Sequence, residues 1–158
     1  MNKWFFFNLF LLLTSLWKVM TGYGFPTIQI HILLGITGVF FILFNWTRHA
    51  VFSTIRNSTD RRIKIKYANF SKKAMPFHRW TGTTALIIIL FHAGFVLNRF
   101  GIHLENPKII SGLLAGSVLA GVVISGWMRR IKPSGTKRIA HLRLGLTMFF
   151  LILLHVIL

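Results

Sequence analysis

The chain contains no cysteine. That excludes a disulfide framework, thiolate-held iron–sulfur clusters and covalent heme attachment through a Cys-x-x-Cys-His sequence. Acid is nearly absent as well: Asp60 and Glu105 stand against 19 Lys and Arg, a net charge of +17. Neither acid falls inside an apolar run, which counts against ion or proton transport sites built on intramembrane carboxylates. A charge this positive raises nucleic acid as a partner. However, the cations sit in the connections between apolar runs, and no basic helix or aromatic-rich module stands apart from them, so nucleic acid binding is not expected.

Apolar residue is what the sequence has in quantity. It makes up 54% of the 158 residues, with a mean hydropathy of +0.64. This length allows one domain, and the long apolar stretches with almost no charge are membrane spans by composition. The expected fold is all-α: an integral membrane bundle of about five transmembrane helices, at 4–20, 27–47, 76–97, 108–128 and 139–158. Segment 1–22 is a first transmembrane helix and possible signal anchor, and 23–158 is a four-helix transmembrane domain. Retention of the first helix is favoured because Trp17, Lys18, Met20 and Tyr23 occupy the place where a cleavage site wants small residues. Gly22, Gly24 and Pro26 predict a tight turn after it, and Pro133 and Gly135 a break before the last span.

The polar stretches 48–75 and 129–138 are heavily basic and fall on one side of a five-span chain. The positive-inside rule makes that side the cytoplasm, in a multi-pass protein of the cell (inner) membrane. Anionic lipid headgroups are the natural contact for such loops. The third and fifth spans then run parallel, from inside to outside.

Histidine carries the chemistry. His78 and His92 lie 14 residues apart on the third span, and His141 and His155 lie 14 apart on the fifth. Seven histidines scattered at random give about a quarter of one pair at that separation. Fourteen residues make close to four full turns and rise about 21 Å, so each pair shares one helix face. On parallel helices His78 comes level with His141, and His92 with His155. Two imidazoles facing each other at one depth are what a six-coordinate heme iron needs, so two levels predict two b-type hemes stacked along the membrane normal. With no cysteine, any such heme is held by His or Met without a covalent link. Interhelical hydrogen bonding by neutral histidines is the bland alternative.

Gly82 and Gly145 follow His78 and His141 by four residues and leave room for a flat porphyrin, or serve ordinary small-residue packing. Arg79 and Arg143 stand near the inner pair, as do Arg129, Arg130, Lys137 and Arg138. They are candidates for pairing with heme propionates or with an acidic partner, and also serve as topology signals. His31 lies near the depth of the outer pair, a candidate for the acceptor side or a quinone pocket.

Phe77-His78-Arg79-Trp80-Thr81-Gly82 leading to Phe91-His92 resembles the central helix of the ferric reductase-like transmembrane domain. So does Ser125-Gly126-Trp127-Met128-Arg129-Arg130 followed by His141 and the Leu-rich run to His155. The superfamily includes ferric reductases, the membrane part of NADPH oxidases and the heme subunit of the periplasmic methionine sulfoxide reductase system. The resemblance covers about residues 28–158. It implies two bis-histidine b hemes, ligated by His78, His92, His141 and His155, and outward electron transfer as a component of a transmembrane oxidoreductase. Many members carry a sixth span or a cytoplasmic FAD/NADPH domain that these residues do not include. The expected donor is therefore a cytoplasmic flavoprotein reductase or a membrane quinol, with an acceptor on the outer side. Two other readings stay open: the cytochrome b anchor of a quinol-linked dehydrogenase, and a non-redox transporter or assembly factor that uses its histidines for metal or protons.

Overall fold

A computed structural model describes residues 3–22 and 29–158. Five α-helices follow one another: α1 (Lys3–Gly22), α2 (Ile30–Asn57), α3 (Arg61–Phe100), α4 (Pro107–Ile131) and α5 (Gly135–Ile157). All five are long and apolar enough to cross a membrane. The surface agrees: Phe10, Leu13, Phe40, Leu90, Phe91 and Phe150 are all exposed, an arrangement that suits lipid and not water. The chain is a multi-pass helical membrane protein in contact with lipid.

Local chemistry explains most helix boundaries. Asp60 caps α3, its carboxylate accepting from the Arg62 amide at 2.7 Å. Asn106 caps α4 through the Lys108 amide, with Pro107 in the first helical position, where a missing amide N–H costs nothing. Ser134 caps α5. α3 ends at Gly101, whose φ of 75° a side chain would resist. The turn expected at Gly22, Gly24 and Pro26 lies mostly outside the described residues, with Gly22 closing α1.

The stretch 48–75, expected to be a polar connection, is helical except at 58–60. α2 runs ten residues past the expected end, and α3 begins fifteen residues before Pro76, which sits inside the helix. Charge had masked helix propensity here. From 61 to 75 the residues are mostly good helix formers without glycine or proline, and an Asp cap precedes them. At 40 residues α3 is about 60 Å long, twice a bilayer's hydrocarbon core of about 30 Å, so its basic first part projects beyond the membrane.

α2 packs antiparallel along α3, and α4 along α5. α1 lies against α2 and α5: Leu11 is fully buried, Trp4 meets the edge of Trp46, and Lys18 donates to the Ile157 carbonyl. The core joins the two hairpins through Trp46 of α2, stacked on Phe149 of α5 at 4.9 Å. By contrast, α3 and α5 do not pack backbone to backbone as the hairpin partners do. Histidine rings reach across the space between them.

Candidate heme-binding site

Each of the four histidines on α3 and α5 faces a partner. The ring centres of His78 and His141 are 6.3 Å apart, with planes at 82°. Those of His92 and His155 are 6.4 Å apart, at 80°. The depths match as the 14-residue spacings predict. The first pair lies toward the basic end of the bundle and the second toward the other end.

The separation has a chemical meaning. An imidazole nitrogen ligates a metal at about 2 Å and its ring centre lies about 1.15 Å behind, so two imidazoles on opposite sides of one iron hold their centres about 6.3 Å apart. A direct hydrogen bond between the rings does not explain the facing geometry, because none links His78 to His141 or His92 to His155 among the described residues. No three His, Asp or Glu side chains converge among the described residues. A heme, whose porphyrin supplies four donors of its own, would need only two histidines per level.

Hydrogen bonds at Nδ1 fix how three of the rings stand. His92 Nδ1 lies 2.7 Å from the His31 carbonyl. His155 Nδ1 lies 3.1 Å from the Lys108 carbonyl and 3.1 Å from the Ser111 hydroxyl. His141 Nδ1 lies 3.1 Å from the Val122 carbonyl and 3.0 Å from the Ser125 hydroxyl. A carbonyl only accepts, so each of these Nδ1 atoms carries the proton and donates it. That leaves Nε2 bare, the tautomer a metal-ligating imidazole needs.

One device makes all three contacts possible. The accepting carbonyl always belongs to the residue four before a glycine: His31 before Gly35, Lys108 before Gly112, Val122 before Gly126. A Cβ on those glycines would lie 3.1 Å from the His92 ring, 2.9 Å from His155 and 3.3 Å from His141. A bare helix backbone is what lets each ring come close enough to reach a carbonyl already engaged in its own helix. The part these glycines and serines play was missed from sequence, although a signal existed: Ser111-Gly112 and Ser125-Gly126 repeat at 14 residues, in antiparallel register with His155 and His141.

The fourth ring departs from the rule. His78 Nδ1 is buried and has no hydrogen-bond partner among the described residues. The position corresponding to Gly35, fourteen residues on along α2, is His49, whose own ring is stacked on Trp46 at 5.0 Å with Trp4 edge-on.

The remaining expected site residues are placed differently from one another. Gly82 and Gly145 face α2: a Cβ there would meet Asn45 at 3.6 Å and Trp46 at 3.5 Å, ordinary contacts, and would not press on an imidazole. Arg79 lies close enough to His78 for its charge to act on the ring, together with Arg48 and Arg129. Arg143 is exposed, whereas the charges of Arg129 and Arg48 act on His141, and Arg48 is the one of these that the sequence reading placed in a loop. His31 is buried edge-on to Phe100 at 5.7 Å, and it is its backbone carbonyl that serves His92. No family model, curated protein or solved structure matches the chain.

Proposed function

We propose that this protein is a membrane b-type cytochrome that carries electrons across the bilayer through two bis-histidine hemes. The observation that carries the reading is the pair of imidazole couples, 6.3 and 6.4 Å across, bridging two helices otherwise held apart. His78 and His141 would hold one heme, His92 and His155 the other. Bound heme would supply one-electron redox chemistry at two depths about 21 Å apart along the helix axis. The protein's share of the work is to hold four imidazoles in facing pairs, three of them set in the ligating tautomer by a backbone carbonyl, and to keep both levels inside the bundle.

The basic end is the cytoplasmic side on this reading, following the positive-inside rule. The projecting start of α3, with Arg61, Arg62, Lys64, Lys66, Lys72 and Lys73, joins the basic connection between α4 and α5 at that end. It suits a cytoplasmic flavoprotein reductase with an acidic face as donor. A membrane quinol is the alternative donor. The ferric reductase-like resemblance supports outward transfer to an acceptor on the far side. The anchor of a quinol-linked dehydrogenase remains the second redox reading, and a co-purifying soluble enzyme would favour it.

The test is the pyridine hemochrome spectrum of purified protein from heme-sufficient cells. Two protohemes per chain are expected. Colourless protein, or stoichiometric zinc or copper without porphyrin, would overturn the reading.

A further inference from the structure

Beside His78, between α2 and α3, lies a largely enclosed cavity of about 50 Å³. Asn45, Arg48, Ser71 and His78 line it, with Phe44 and Phe70 among its apolar walls. Five buried side-chain nitrogen or oxygen atoms lack a hydrogen-bond partner among the described residues. Three of them, Arg48 Nε, Ser71 Oγ and His78 Nδ1, belong to side chains lining this one cavity. Ser71 is only 5% exposed. Buried polar atoms are nearly always paired, so three orphans around one space indicate something that the chain does not itself provide.

The chemistry of the three groups narrows what that is. A guanidinium only donates. A neutral histidine that carries its proton on Nδ1 donates from it, and a serine hydroxyl can donate too. The ligand must therefore accept. A negative group suits it, because the Arg48 guanidinium lines the cavity and no acid lines it. Of the two acids in the chain, Asp60 is spent capping α3, and Glu105 lies in the connection at the other end of the bundle. A single water needs about 10–15 Å³, so the space admits a group of about three or four heavy atoms. A quinone headgroup is too large for it.

We infer that this cavity is a binding site for a small anionic group of the carboxylate class, held by hydrogen bonds from Arg48, Ser71 and His78. Two sources share that chemistry: a free small anion from solution, or a propionate of the heme at the basic end. Only the second rests on the heme reading. In either case the site gives His78 the partner that a backbone carbonyl gives the other three histidines.

The experiment compares wild type, Arg48→Gln and Ser71→Ala in detergent, in sodium formate against sodium gluconate at equal ionic strength. The first readout is the thermal unfolding midpoint, which does not require heme. The second is the midpoint potential of each heme. A free-anion site predicts saturable stabilisation of wild type by formate, with at least tenfold weaker binding in both variants. A propionate site predicts a wild type indifferent to formate. Both variants then shift the ferric/ferrous ratio of one heme about tenfold, 59 mV for one electron, with two hemes retained. Should Arg48→Gln not fold, Arg48→Lys keeps the charge without the planar fork, and a smaller shift in the same readouts is expected. No formate response, with both potentials unchanged in folded variants, means the cavity holds water only and overturns the inference while leaving the heme reading intact. Heme-free protein overturns the heme reading, and the formate titration then decides the site alone.

Discussion

The two histidine pairs are alike in separation and plane angle and unlike in what surrounds them. At the far end both rings donate to backbone carbonyls, and Lys108 is the nearby cation on the bundle's histidines. At the basic end only His141 has such a carbonyl, His78 has none, and three guanidiniums act on His78. Ring geometry is thus repeated by the 14-residue register, whereas what each Nδ1 meets depends on what the neighbouring helix offers. α4 offers the Ser-Gly step twice. α2 offers a glycine against a histidine ring once, at Gly35, and His49 stands where the second is wanted. At one pair both rings are held by carbonyls, and at the other only one is.

The coarsest way to break the comparison is to remove a ligand. His92→Ala or His155→Ala is expected to reduce heme content from two per chain to one, losing the far-end heme, and His78→Ala or His141→Ala to lose the basic-end heme instead. Hemochrome quantitation with redox titration of the survivor checks both, and loss of both hemes from every variant would show that the levels are not independent.

A side chain behind a ring should do less. Gly112→Ala brings a Cβ to 2.9 Å from His155, and Gly126→Ala one to 3.3 Å from His141. Overpacking of this kind costs about 1–3 kcal/mol, so Gly112→Ala is expected to weaken far-end heme retention about tenfold, and Gly126→Ala to affect the basic-end heme less. Heme loss to apomyoglobin measures this, and equal behaviour of the two variants would contradict the glycine rule.

The electrostatic contrast predicts unequal hemes. A unit charge about 10 Å away at an effective dielectric near 20 is worth on the order of 50–100 mV to a one-electron couple. Positive charge favours the reduced, less positive iron, so the heme held by His78 and His141 is expected to have the higher midpoint. Assignment through the single-ligand variants decides it, and a higher midpoint at the far end would contradict the account. Smallest of all should be Ser111→Ala and Ser125→Ala. Each leaves a carbonyl still accepting from Nδ1, so about 0.5–1.5 kcal/mol is at stake and heme content is expected to stay at two.

The histidine registers were legible from sequence because 14 residues close on the helical period and because parallel spans need no side-chain detail to bring equal positions level. The five spans were legible for a similar reason, since apolar length is a one-dimensional property. The helical identity of 61–75 was not, because its charges read as a connection although Asp60 and the helix-forming residues after it favour a helix. The roles of Gly35, Gly112 and Gly126 were hidden because they depend on which face of α2 and α4 meets each ring. Gly82 and Gly145, chosen by position after a ligand, proved to face Asn45 and Trp46. Arg48 looked like the first residue of a loop until α2 continued through it.

The central claim concerns how each iron would be held. Facing rings near perpendicular, at 82° and 80°, give a ferric heme the strongly anisotropic low-spin signal, unlike the rhombic signal of parallel rings. Low-temperature electron paramagnetic resonance of the oxidised protein, with spins counted per chain, therefore tests it directly. Two low-spin hemes of the perpendicular type are predicted, and a high-spin signal, a single low-spin heme or no heme signal would contradict the account.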